Sequence, residues 1–332
     1  MNEASFFEGL KRNSNEQEKP PRTIFMITRH ADRLPDGALS PEGIEKAGAK
    51  GKEIGKLRDS LILKGYASDE KTKRTVKTSN LISQESESVP VEKKIISPRT
   101  GQPYKTKEVE GIQYGVLKPD LGDVLQQGID LVDQKTLEEL GWSTEKDENG
   151  KFKIDFEKLP KDQQQEIAKT RAKNQMWAFR DILENGQAVH RMAIGMAAQL
   201  TDKSKITERY TEYLAYLREQ KCEEIPKKDV VLNLNTHGLF VESLLKEAGY
   251  MKKEGQKIDF KNKEFGEYIF ESKEFGGYIQ PTESIFLEED KAGGDFVVSF
   301  EGKGRPSQNS VYVSKERVIE LSNQYLEHTK QF

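Results

Sequence analysis

Thr23-Ile24-Phe25-Met26-Ile27-Thr28-Arg29-His30-Ala31-Asp32-Arg33-Leu34-Pro35 is the stretch on which the reading of this chain turns. Its first six residues are apolar or β-branched and stand between polar flanks, which predicts a short buried strand. A histidine follows within two residues, with arginines on both sides. Ser40-Pro41-Glu42-Gly43 then supplies an N-cap and a proline at the first helical position, so a helix is expected to start there and run to about Gly65. The same event recurs far downstream. Asp229-Val230-Val231-Leu232-Asn233-Leu234-Asn235 predicts a second strand, Thr236-His237-Gly238 closes it, and a helix over Leu239–Ala248 stops at Gly249.

Between and around these two strand–histidine–helix units the chain changes character. Residues 1–22 are polar, end in Lys19-Pro20-Pro21-Arg22 and read as a flexible leader. A second helix is expected over about Glu70–Ser83, capped by Ser68 or Asp69, and another strand over Val91–Ser97. Residues 98–115 lack periodicity. Helix formers dominate 117–222, with helices expected over Asp133–Leu140, Leu159–Asn185, Ala188–Leu200 and Thr207–Lys221. Strands at Ser284–Glu288 and Phe296–Phe300 and a C-terminal helix from about Ser314 close the chain. Strand–helix alternation at both ends of a helical block predicts an α/β fold. We expect a doubly wound, mostly parallel sheet flanked by helices, with core segments 23–115 and 228–332 and an inserted helical cap subdomain at 116–227. The near-copy of Lys263–Ile269 at Lys273–Ile279 reads as a local duplication, too short for a solenoid.

Composition narrows the function. The 332 residues carry 53 Lys+Arg against 56 Asp+Glu, a net charge of −3, so no global basic field favours nucleic acid or membrane. Cys222 stands alone, which excludes an intrachain disulfide framework and a cysteine zinc site. No apolar run approaches a membrane span and the start lacks a signal-peptide pattern, so a cytoplasmic protein is the expectation. Oligomeric state is not legible.

Chemistry concentrates at the two strand ends, where doubly wound sheets bind ligands. A lone histidine there is most often structural, and a lone arginine most often a surface ion pair. Here His30 lies between Arg29 and Arg33, with Arg74 near the start of the next helix and His237 at the second strand end. Guanidinium groups donate paired hydrogen bonds to phosphate oxygens, and neutral imidazole is a nucleophile near pH 7. The combination points to phosphoryl transfer.

These residues resemble the motifs of the histidine phosphatase (phosphoglycerate-mutase-like) superfamily. Arg29-His30-Ala31-Asp32-Arg33-Leu34-Pro35 is similar to its Arg-His-Gly-x-Arg-x-Pro signature. Leu39–Ala47 is similar to its Leu-Thr-x-x-Gly-x-x-Gln-Ala helix start. Ser68-Asp69 with Arg74-Thr75 and Thr78 is similar to the segment bearing its second arginine, and Thr236-His237-Gly238 to its second histidine motif. The resemblance covers roughly 23–82 and 229–300. It implies a phosphomonoester hydrolase in which His30 becomes a phosphohistidine and Arg29, Arg33, Arg74 and His237 bind phosphate. It implies no metal and no cofactor, and a phosphorylated small molecule or phosphoprotein as substrate. Two positions depart from the pattern: Ala31 replaces glycine, and Gly238 stands where one branch has its aspartic acid. The general acid is then expected from Glu110, followed by Glu108 and, one turn past His237, Glu242. A catalytically weak binding relative or a phosphomutase are the alternatives.

Overall fold

The computed structural model describes residues 23–57, 60–66, 73–86, 89–90, 120–184, 186, 188–198, 200–201, 229–261, 278–289, 294–301 and 311–329. Strand β1 (Thr23–Arg29) lies at the centre of one sheet, parallel to β4 (Asp229–Thr236) on one side and antiparallel to β7 (Ser284–Glu289) on the other. Its unbroken apolar run follows from burial on both faces. Ile24 and Met26 pack with Val231, Phe286 and the helix α1 (Pro41–Ile54) residues Ala47 and Ile54. Phe25 and Ile27 pack on the opposite face with Leu232, Leu234 and residues of α5 (Gly238–Ala248). Ser40 caps α1 as expected, its hydroxyl accepting from the Gly43 amide at 3.0 Å.

The α/β class holds, but the sheet is mixed rather than mostly parallel. With β2 (Ser60–Tyr66), β3 (Val89–Pro90), β5 (Gly249–Lys253), β6 (Gln256–Asp259), β8 (Phe296–Phe300) and β9 (Val311–Val313), the strand order is β3-β2-β4-β1-β7-β8-β9-β5-β6. The parallel pairings are confined to β3-β2-β4-β1, and the rest pair antiparallel. Parallel strands need a crossover between them, whereas the later strands return directly as a meander. Of these six, only β8 falls in a segment expected as a strand. The α1 helix stops at Ile54, and Ser60–Tyr66, expected to be helical, pairs in register with β4 from Ser60↔Asp229 to Tyr66↔Asn235. Long-range pairing decides that segment over its local preference. The β5–β6 hairpin turns at Glu254-Gly255, both with positive φ, a geometry in which glycine is at ease.

Helices cover both faces: α2 (Lys73–Ser86) beside α1, and the C-terminal α6 (Lys315–Thr329) beside α5. The helical block divides. In α3 (Asp120–Glu139) and α4 (Lys161–Glu184), Leu137, Ile167 and Ala168 form a separate small core with Leu34, Phe156 and Trp142. Helical residues 188–198, expected in the cap, instead place Met192, Ala193, Met196 and Ala197 in the core of the sheet with Phe25 and Leu232. The expected strand over 91–97, the helix over 207–221 and most of the local duplication lie outside the described residues.

Candidate active site

β1 and β4 are adjacent and parallel, so their carboxyl ends open on the same edge. The chain leaves them toward opposite faces, into α1 and α5, and the crevice between those departures is where an α/β sheet takes its ligand. His30 is one residue past β1 and His237 one residue past β4. The His30 amide donates to the Thr236 carbonyl at 2.8 Å, which ties the two turns together, and the imidazoles meet edge to face with centroids 5.0 Å apart.

His30 is 4% exposed. Its Nδ1 is 2.8 Å from the Ala31 carbonyl oxygen, an acceptor only, so Nδ1 carries the proton. Nε2 then keeps its lone pair, and it accepts from Arg74 Nε at 3.3 Å. Burial pushes the imidazole well below the ordinary histidine value, and Arg74, His237 and Arg29 push it further, so it is neutral at pH 7. Arg74 is brought to this point by Thr78, one turn along α2: the Thr78 hydroxyl accepts from the Ala31 amide at 3.1 Å and donates to the Arg74 carbonyl at 2.8 Å. The Arg74 guanidinium is pushed down to about 10 by burial and by Arg171. His237 is likewise held low, by burial and by Arg74, Arg33 and Arg29. It sits at the N-terminal end of α5, the positive end of that helix.

Arg29 is buried beneath this pair. Its backbone is fixed from both directions, with its amide donating to Glu283 O at 3.0 Å and its carbonyl accepting from Thr282 N at 3.1 Å. Its guanidinium donates to the Ile279 carbonyl and lies across Gly238. A Cβ at residue 238 would stand 2.9 Å from Arg29 Cδ and 3.1 Å from Nε. The departure at Gly238 therefore has a physical basis: any side chain there competes with Arg29 for space. Ala31 is fully buried and keeps its place without a glycine.

Arg33 lines the same cleft, but its Nη1 donates to the carbonyls of Leu34 (3.0 Å) and Pro35 (3.3 Å), and both Nη atoms reach Asp133 Oδ2 at 3.5 Å. Asp133, on α3, also accepts from Arg171 Nε of α4 at 2.6 Å. Arg171 and Asp133 are thus site residues that the sequence did not point to. The Arg33–Asp133 and Asp133–Arg171 separations of 100 and 38 residues leave no local signal. Ala168, Ala172 and Gln175 of α4 complete the cleft, with Pro281 and Asp32 on the side of the sheet. The Asp32 carboxylate is held by Lys46 Nζ at 3.2 Å.

Glu242, a candidate acid, is not in the cleft. It is fully buried, and its Oε1 accepts from the Ile279 amide at 2.9 Å beneath Arg29, so it anchors the segment that crosses the site. Glu110 and Glu108 lie outside the described residues. Among the described residues no group of three or more His, Cys, Asp or Glu side chains is placed to hold a metal ion. Among them, too, no helix is long and apolar enough to cross a membrane.

No protein-family model matches the chain, and no curated protein matches it. Among solved structures it is similar to a mycobacterial glucosyl-3-phosphoglycerate phosphatase, at 11% identity over 86% of this chain and 100% of that one, with a TM-score of 0.32. It is also similar to a phytase from Klebsiella sp. ASR1, at 13% identity over 92% of this chain and 96% of that one, with a TM-score of 0.28.

Proposed function

We propose that this chain is a phosphomonoester hydrolase of the histidine phosphatase type, with His30 as nucleophile. The observation that carries this reading is the tautomer of His30: Nδ1 is committed to the Ala31 carbonyl, and the lone pair of Nε2 is left beside the Arg74 guanidinium. A neutral imidazole with that lone pair, ringed by guanidinium groups, has the parts that phosphoryl transfer needs, namely in-line positioning and charge neutralisation. In the first step Nε2 forms a bond to phosphorus, the bond to the leaving oxygen breaks, and a carboxylic acid protonates that oxygen. In the second, the carboxylate so formed takes a proton from water as the water oxygen bonds to phosphorus, the N–P bond breaks returning its electron pair to Nε2, and inorganic phosphate leaves. Arg29, Arg74 and His237 would hold the phosphoryl oxygens, supplying the positive charge a metal supplies elsewhere, and Arg33 would contribute when it turns from Asp133.

Glu110 is the proposed acid. Asp32 is a second candidate, favoured because the residue lines the cleft two positions past the nucleophile. A binding-only relative is the competing reading, motivated by Gly238, which leaves no carboxyl at the position where one branch of the superfamily keeps its acid.

Hydrolysis of a generic aryl phosphate by the wild type and His30→Ala decides the matter. The expected loss is at least about 10³-fold, as for removal of other catalytic nucleophiles. Comparable rates in the two proteins would end the assignment. Glu110→Gln and Asp32→Asn, compared on substrates with good and poor leaving groups, identify the acid: its removal slows the poor leaving group by roughly 10²–10⁴-fold and spares the good one.

A further inference from the structure

The wall of the cleft opposite His30 is one face of α4. Ala168, Arg171, Ala172 and Gln175 recur at the i, i+3, i+4, i+7 spacing of neighbours on a helix surface. The two alanines keep that face shallow, and Arg171 and Gln175 stand beside the space they leave. Arg171 is 2% exposed. Its Nε donates to Asp133 Oδ1 at 2.6 Å and its Nη1 to Gln175 Oε1 at 3.1 Å, while its Nη2 makes no hydrogen bond among the described residues. Because Gln175 turns its oxygen to the guanidinium, its amide nitrogen is left as a donor, and this too has no acceptor among the described residues. Gln175 is half-buried, and both residues line the cleft, so these two donors without acceptors among the described residues are open to a ligand that brings oxygen atoms.

Charge states which kind. Asp133 is shared between Arg33 and Arg171, so the three groups together keep one unit of positive charge away from water. On the sheet side, Arg29 and Arg74 act directly on His30, and a transferring phosphoryl group is provided for there without α4. We infer that Arg171 and Gln175 form a second anion subsite, which takes a phosphate or carboxylate carried by the leaving group. The substrate class is then a phosphomonoester with a second anionic group. This rests on the reading of the His30 cleft as the phosphoryl site.

Inhibition by methylphosphonate, which has one anionic group, is compared with a series of alkane-1,n-diphosphonates of increasing length. The best diphosphonate is expected to bind the wild type about 10–100-fold more tightly, the worth of one or two charge-assisted hydrogen bonds. Arg171→Gln should abolish that gain, weakening the best diphosphonate at least about tenfold more than it weakens methylphosphonate. Gln175→Ala leaves the buried ion pairs intact and should reduce the same gain, so the idea survives a folding defect in the arginine variant. Diphosphonates that bind the wild type no better than methylphosphonate would overturn the subsite alone. So would variants that weaken both ligands equally, since Arg171 would then belong to the phosphoryl pocket. Failure of methylphosphonate to bind the wild type would overturn the parent reading instead.

Discussion

Arg29 and Arg171 reach one cleft from opposite sides and are held there by different means. Arg29 is fixed mostly through backbone: the register of β1 on β4, the exchange with Thr282 and Glu283, a carbonyl acceptor at Ile279 and a glycine under its side chain, with the buried Glu242 carboxylate as its leading counter-charge. Arg171 is fixed through side chains, chiefly one carboxylate that it shares with Arg33. The floor of the site is therefore a consequence of the sheet, whereas the wall is a consequence of one buried ion triad. Each can be broken without the other, and the size of the effect should differ accordingly.

The largest effect is expected at the wall. Asp133→Ala leaves two buried guanidiniums without their counterion, a change that typically costs about 3–5 kcal/mol. Urea unfolding followed by circular dichroism measures it, and a cost under about 1 kcal/mol would mean the triad does not hold α3 and α4 to the β1 loop. The counterpart at the floor is Gly238→Ala. The added Cβ meets Arg29 Cδ at 2.9 Å, so the guanidinium must move and stability should change little. Activity on an aryl phosphate should fall toward the ~100-fold that a 1 Å misplacement costs. Unaltered activity would show that Arg29 is not poised by the contact.

The same division explains what was legible beforehand. His30, His237, Arg29 and Arg74 could be read because each sits within a few residues of a strand end or a helix start, and local pattern reports local geometry. The mixed sheet could not, since β2 looks like the continuation of a helix until β4 is beside it. Nor could Glu242, whose spacing from His237 suggested an acid. Only its burial under Arg29 reveals an anchor for the segment ending at Thr282. Arg171 and Asp133 were hidden for the reason that makes the wall fragile: their partners are distant in sequence.

A smaller effect separates floor from wall by pH. Buried His30 is held well below its ordinary value, so the unfolded chain takes up a proton near pH 6.5 that the folded chain refuses. Stability contributed by keeping this group neutral is present above that pH and is lost as pH falls below it, by at most about 1.4 kcal/mol per pH unit. His30→Ala should flatten the acid limb of the stability curve between about pH 6.5 and 5, and Arg171→Gln should leave it in place. An unchanged limb in His30→Ala would mean the imidazole is protonated in the folded protein, and a protonated Nε2 is no nucleophile.

The smallest effect tests whether backbone alone holds the floor. Thr282 has φ 64, a left-handed conformation that a β-branched residue adopts at a cost, and its amide donates to the Arg29 carbonyl at 3.1 Å. Its hydroxyl reaches no further than the neighbouring Pro281 carbonyl, so the side chain adds nothing across the site. Asparagine tolerates this region far better. Thr282→Asn should stabilise the protein by about 0.5–1 kcal/mol and leave activity unchanged, since the hydrogen bond to Arg29 is made by the amide. The strain is then a local cost of passing the chain across β1 at the point where Arg29 must be clamped from both directions. Destabilisation by this variant would locate the clamp in the threonine side chain, and the floor would depend on side chains as the wall does.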